Sequence, residues 1–223
     1  MMNKAVILLS GGLDSSTTLY YARSKGHACH CLIFDYGQRH KKEILSAKAV
    51  ARAAHCAFEL VKIALPWKGS ALLDKKVNIP KHRKLDATNI PATYVPARNI
   101  IFLSFAASYA EALGARHIFI GANAVDYSGY PDCRPAFIHA YQSMLAQGLK
   151  TGVEGKTITV ETPLIHLTKA HIVRLALKLG VPVEKTWSCY QGGRTPCGVC
   201  DSCRLREKGF QEANHEDRGR TSS

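Results

Sequence analysis

Ala5-Val6-Ile7-Leu8-Leu9-Ser10-Gly11-Gly12-Leu13-Asp14-Ser15-Ser16 is the stretch that decides the fold. The unbroken apolar run at residues 5–9 reads as a strand buried on both faces, the glycine pair as a turn, and the residues behind it as a helix closing at Lys25-Gly26. A strand, a glycine turn and a helix N-terminus in that order leave unpaired backbone N–H groups and the positive end of a helix dipole facing one concavity, into which an anion can come close. Ser10, Ser15 and Ser16 add hydroxyl donors. The lysine and the spacing of a Walker loop are missing, so the bound group need not be the terminal phosphate of a triphosphate. Taken in isolation, a glycine pair behind a strand is simply a tight turn.

A chain of 223 residues is long enough for one full α/β domain and short for two. Apolar segments alternating with helix-like ones predict a doubly wound, mostly parallel sheet of five strands, with an appendage at the C-terminus. The boundaries drawn are 1–186 for a nucleotide-binding domain, 187–210 for a four-cysteine segment, and 211–223 for a polar, disordered tail. No stretch has the length of a membrane span and no signal peptide is evident, so a cytoplasmic protein is expected. The balance of 30 Lys+Arg against 17 Asp+Glu, a formal charge of +13, raises a nucleic-acid partner. The basic residues are dispersed rather than gathered in a tract, which suits small anionic substrates equally well.

Residues 28–34 form the second predicted strand, and Asp35 at its end is placed either to take ribose hydroxyls or to cap a helix over 38–55. A third strand is predicted at 57–63. Residues 65–98, with Pro66, Pro80, Pro91 and Pro96 and no clear period, read as a functional loop or lid. Arg98 then opens an apolar helix over about 100–114, where the dipole disfavours a cation unless an anion pairs with it; a phosphate ligand and a surface arginine are the two readings. A fourth strand at 116–121 leads into a polar, aromatic loop carrying Asp126, Tyr127, Tyr130, Asp132, Cys133 and Arg134. Its carboxylates suit the donor edge of a guanine-like ring and Tyr127 or Tyr130 could stack on it; alternatively the loop is an exposed turn in which Asp132 caps a helix over 134–148. A fifth strand spans 157–160, and Lys169 stands at the start of an amphipathic helix ending near Gly180, either a second phosphate partner or a solvated lysine.

Cys189, Cys197, Cys200 and Cys203 have the spacing of a tetrahedral metal site, and a closed shell of four sulfurs makes a structural Zn²⁺ the expected occupant, with a [4Fe–4S] cluster and four unliganded thiols as the alternatives. The scattered Cys29, Cys31, Cys56 and Cys133 read as small buried hydrophobes.

Ser10-Gly11-Gly12-Leu13-Asp14-Ser15-Ser16 resembles the signature loop of the ATP pyrophosphatase (PP-loop) superfamily, adenine nucleotide α-hydrolase-like enzymes that release pyrophosphate and leave AMP on a substrate oxygen. Together with Y-V-P-A-R-N at 94–99, G-A-N-A-V-D-Y-S-G-Y-P-D-C-R-P at 121–135, P-L-I-H-L-T-K at 163–169 and the four-cysteine tail, the chain is similar to the 7-cyano-7-deazaguanine synthase family over about residues 4–207. That resemblance implies a carbon–nitrogen ligase of queuosine precursor synthesis that uses ATP and ammonia to turn 7-carboxy-7-deazaguanine into its 7-cyano counterpart (preQ0). It implies Mg²⁺, one structural Zn²⁺ per chain and a homodimer, with no obligatory nucleic acid and no membrane partner. It further implies a nucleotide site of Leu8, Leu9, Ser10, Gly11, Gly12, Leu13, Asp14, Ser15, Ser16, Thr17, Thr18 and Asp35, with Asp14, Arg98 and Lys169 in catalysis and Asp126, Tyr130, Asp132 and Arg134 at the heterocycle. An adenylating tRNA-modifying enzyme using a free cysteine, and a non-catalytic nucleotide- or zinc-binding module, are the competing functions.

Overall fold

A computed structural model describes residues 3–82, 90–125 and 129–220, the last six by backbone alone. Five strands form one parallel sheet in the order β3-β2-β1-β4-β5: β1 (Lys4–Leu8), β2 (Ala28–Asp35), β3 (Ala57–Lys62), β4 (His117–Phe119) and β5 (Thr159–Glu161). The chain winds outward from β1 through β2 to β3, then returns to the other side of β1 for β4 and β5. That reversal opens a crevice at the C-terminal ends of β1 and β4, where adjacent connections leave in opposite directions.

β1 is hydrogen-bonded along both edges, with Val6 opposite His30 on β2 and Ile118 on β4. Its side chains alternate between two cores. Val6 and Leu8 pack with α3 (Arg98–Leu113) and α4 (Pro135–Gly148), while Ala5 and Ile7 pack with α1 (Leu13–Ser24) and α2 (Lys42–Ala53). Burial on both faces accounts for the uninterrupted apolar run in the sequence. After the short α5 (Lys150–Val153), α6 (Lys169–Lys178) follows β5, and α7 (Asp201–Arg220) closes the chain against α6.

The predicted alternation of strands and helices is the one observed, with two differences. Strands β4 and β5 are only three residues each, shorter than their apolar runs. The stretch from residue 211, whose composition predicts a disordered tail, is instead helical as far as Arg220, because Phe210 and Ala213 bring α7 onto a third core with Leu13, Ile172 and Val173. Among the described residues, 65–97 carry no helix or strand of their own. They are held by other elements: the Arg39 guanidinium donates to the carbonyls of Ala71, Lys75 and Val77, and Lys81 forms a lone antiparallel bridge with Cys200. No described helix is long and apolar enough to cross a membrane.

Leu103 on α3 is completely buried against β1 and β4. Leu103→Ala should lower the unfolding free energy by about 3 kcal/mol through lost burial and the cavity left behind, read as an earlier midpoint in urea at an unchanged slope.

Candidate active site

The turn between β1 and α1 is built as the sequence predicts. Gly12 is the N-cap of α1 and supplies no side chain to satisfy the first-turn N–H groups, which therefore stay available to a ligand. Ser15 Oγ accepts from Ser10 N at 3.2 Å, lies 3.0 Å from Ser10 Oγ and donates to the Gly12 carbonyl at 3.2 Å. Two of the expected phosphate hydroxyls thus also shape the loop. Gly11 takes a left-handed conformation at φ 83°, and a Cβ there would collide with the Glu43 carbonyl oxygen and the Ala47 nitrogen of α2. Helix α2 is consequently seated directly on the turn, with no room between.

A cavity of about 290 Å³ opens above this turn. Its wall brings together Leu8, Leu9, Ser10, Gly12, Leu13, Asp14 and Ser15 with Arg98 from α3, Tyr130, and Lys169 from α6, residues up to 161 positions apart in the chain and all expected from the sequence. Other expected residues lie off that wall. Ser16, Thr17 and Thr18 are buried on the inner side of α1, where Thr17 and Thr18 donate to the Leu13 and Asp14 carbonyls, and Gly11 faces α2. Asp35 neither lines the cavity nor caps α2: Lys41 is the N-cap, and its Nζ pairs with Asp35 Oδ2 at 2.9 Å.

Asp132 is buried, and its Oδ2 accepts from the Asn99 backbone N–H at 3.0 Å, so it caps the first turn of α3 instead of contacting the cavity or capping α4. A carboxylate at the positive end of α3 satisfies an otherwise orphaned donor. Asn99 in turn donates through Nδ2 to Cys133 Sγ at 3.2 Å, which fixes the short 3₁₀ turn Pro131–Cys133 against α3. Arg134 is exposed away from the wall, and Asp126 and Tyr127 lie outside the described residues.

Two cations dominate the wall. Lys169 Nζ reaches both carboxylate oxygens of Asp14, at 2.9 and 2.7 Å, across 155 positions of sequence, with only 14% and 27% of the two side chains exposed. α7 crosses so close to the lysine stem that a Cβ at Gly209 would collide with Lys169 Cγ, so the helix backbone itself holds this lysine over the turn. Arg98 is the first residue of α3, introduced by Ala97 in the left-handed region at φ 56°, a strain of roughly 1 kcal/mol that sets the direction of the helix entry. Burial disfavours the Arg98 charge, but the phenol oxygens of Tyr36 and Tyr130 beside it outweigh that cost, and the guanidinium holds its proton more firmly than usual. Burial pushes the Tyr36 phenol up to about 12 despite Arg98.

The sequence reading missed Tyr36, Glu43, Trp187 and Arg206, which also line the wall. Glu43 sits in a stretch with the ordinary pattern of an amphipathic helix, and only the packing of α2 on Gly11 turns it toward the cavity. Arg206 lies three residues after the last cysteine, a position its neighbours do not mark. Its guanidinium donates to Thr186 Oγ1 at 2.7 Å and to the Val183 carbonyl at 2.9 Å.

The sulfur atoms of Cys189, Cys197, Cys200 and Cys203 all lie within 4.8 Å of one another, a group that could hold a metal ion. Ala71 and Ile79 from the long loop pack on this group, and Trp187, beside it, takes the Lys42 ammonium over its ring at 4.1 Å from the centroid. Cys29, Cys31 and Cys133 are buried as expected, and burial raises the Cys133 thiol to about 12, leaving it no reactive thiolate at neutral pH.

Burial pushes the Glu43 carboxyl up from its ordinary 4.5 to about 7, with Arg98 offsetting part of the shift. The folded-state value is the higher one, so ionisation opposes folding: the carboxyl does not oppose folding below 4.5, and the penalty is complete above 7. Glu43→Gln should therefore be more stable than the parent at pH 8, by on the order of 1 kcal/mol, and show no such gain at pH 4. Thermal melts at the two pH values check it.

The sequence matches the model of the queuosine biosynthesis protein QueC over residues 4–214. It is 55% identical over 218 residues to the 7-cyano-7-deazaguanine synthase of Trichormus variabilis, covering 96% of each chain, and 56% identical over 213 residues to that of Nostoc punctiforme, covering 94% of this chain and 95% of the relative. The 7-cyano-7-deazaguanine synthase of Thermoplasma acidophilum is 53% identical over 216 residues, with 96% of this chain and 90% of the relative covered. Both the phosphate turn and the cysteine group fall inside the matched span, and the chain belongs to the QueC family of queuosine biosynthesis proteins.

Proposed function

We propose that this chain converts 7-carboxy-7-deazaguanine and ammonia to 7-cyano-7-deazaguanine at the expense of ATP, as a carbon–nitrogen-bond-forming ligase. The observation that carries the reading is the family match over 4–214, which spans the turn before α1, Arg98, Lys169 and all four cysteines. A carboxylate oxygen is a poor leaving group, so it is first adenylated by ATP, which enters as its Mg²⁺ complex. The departing pyrophosphate is received by the first-turn N–H groups of α1, those of Asp14 and Ser15 among them, and by the Ser10 and Ser15 hydroxyls. Arg98 and Lys169 balance its charge, Lys169 exchanging an Asp14 oxygen for a phosphate oxygen. Ammonia then displaces AMP to give the amide. A second adenylation, on the amide oxygen, sets up loss of AMP and leaves the nitrile. No side-chain nucleophile is needed, in keeping with a wall whose one thiol, Cys133, stays protonated.

Tyr130 is the aromatic wall residue suited to the deazaguanine, its hydroxyl 2.8 Å from Thr93 Oγ1 and its ring 6.0 Å from that of Tyr94. At the cysteines we favour one structural Zn²⁺. Four sulfurs at about 2.3 Å from a tetrahedral ion lie about 3.8 Å apart, a separation the observed group meets with little movement, whereas a cubane cluster spreads its ligands over four irons. The ion would supply folding energy to residues 187–206 and no open coordination position. A cytoplasmic homodimer completes the reading, with Ile100, Phe105 and Met144 on α3 and α4 offering exposed apolar contact.

Incubation of the protein with ATP, Mg²⁺, ammonium and 7-carboxy-7-deazaguanine should yield the nitrile mass together with AMP and pyrophosphate. ADP and inorganic phosphate, or an unchanged deazaguanine, would sink the scheme. Elemental analysis should return one zinc per chain, and Cys200→Ser should lose the metal together with most of the thermal stability of the parent.

A further inference from the structure

We propose that Glu43 is the general base of the two nitrogen steps, accepting protons from ammonia as the C–N bond forms and from the adenylated amide as the nitrile forms; the inference rests on the reaction assigned above. Both steps leave positive charge on nitrogen. Ammonia is mostly ammonium at neutral pH, and the nitrogen that has attacked an acyl carbon must shed a proton before AMP can depart irreversibly. A proton acceptor within the cavity is therefore required.

The wall offers few candidates. Among the described residues its carboxylates are Asp14 and Glu43. Asp14 is engaged through both oxygens by Lys169. The Tyr36 and Tyr130 phenols and the Cys133 thiol are all driven upward by burial and stand as donors. Glu43 is different. Among the described residues its one ion-pair contact is His40 Nε2 at 3.8 Å, beyond hydrogen-bond length, and its side chain is 20% exposed, toward the cavity it lines. It stands in the first turn of α2, whose backbone is seated against Gly11, and it lines the same cavity as Ser10, Gly12 and Ser15 of the turn before α1.

The groups facing it come from three directions: His40 from its own loop, Arg98 from α3 and Tyr36 from the end of β2. Arg98 favours the ionised form and burial the neutral one, which leaves the carboxyl near 7, the range in which a base both exists and accepts protons effectively.

The bonds balance as follows. The ammonia lone pair forms the C–N bond at the acyl carbon. One proton passes from nitrogen to the Glu43 carboxylate, and the C–O bond to AMP breaks with its electron pair leaving on the phosphate oxygen. After the second adenylation the amide carbon bears O–AMP and a C=NH₂⁺ group. Both N–H protons are lost, one to Glu43 and one to water, as the second C–O bond breaks and the C≡N bond is completed.

The adenylation half-reaction separates this role from a structural one, because exchange of labelled pyrophosphate into ATP with 7-carboxy-7-deazaguanine needs no ammonia. Glu43→Gln should keep exchange within about 2-fold of the parent, lose about 100-fold in ammonia-dependent AMP formation, and no longer show the acid limb near pH 7 in kcat/KM for ammonia. Glu43→Asp should recover part of the lost turnover. Ammonia-dependent turnover of Glu43→Gln within a few fold of the parent would overturn the proposal. So would loss of exchange in step with turnover, which would make Glu43 a support of the nucleotide site. Absence of exchange in the parent would instead overturn the reaction from which the inference starts.

Discussion

β1 is paired along both edges and covered on both faces, and the rest of the molecule follows from that confinement. A strand with no free edge and no free face can release the chain only from its C-terminal end. There α2 leaves no room for a side chain at Gly11, so the turn has a single path into α1. The first-turn N–H groups of α1 then point into the crevice between β1 and β4, because the order of the strands reverses there. The donor-lined turn is thus a by-product of how a doubly covered strand must end.

Around that site the protein has concentrated charge that it could not bury alone. Arg98 and Lys169 each begin a helix, where the dipole disfavours a cation, and each is held by neighbours that compensate: two phenols for Arg98, the Asp14 carboxylate for Lys169. The left-handed Ala97 sets the entry of α3 behind Arg98, and the close passage of α7 at Gly209 confines the Lys169 stem, so both cations are held in place on the cavity wall before any ligand binds.

The cysteine group acts at a distance from the turn but on the same cavity. It gathers residues 187–203 and the loop around Ala71 and Ile79 into a small core of their own, and α7 starts immediately beyond its third cysteine. Trp187, Tyr190, Leu205 and Arg206, all borne on this segment, close one side of the cavity. A closed four-sulfur shell suits that role, since it fixes a wall and does no chemistry.

The local features were legible in the sequence because each rests on a local cause. An apolar run without alternation means a strand covered on both faces, a glycine turn before a helix means exposed N–H groups, and four cysteines at short spacing come together as one group that could hold a metal ion. Arg98 and Lys169 could be read the same way, as cations where a helix dipole would reject them. What only the tertiary structure decided were residues whose role depends on which elements meet. Asp132 looked like a ligand for the heterocycle and is the cap of α3, a helix that begins 34 positions earlier in the chain. The polar stretch after Phe210 looked disordered and is helical, because Ala213 finds a core built by α1 and α6. Glu43 and Arg206 carry no local mark at all. They reach the cavity because α2 packs on Gly11 and because the cysteine group aims α7, and contacts between distant segments leave no periodicity or spacing in a single sequence.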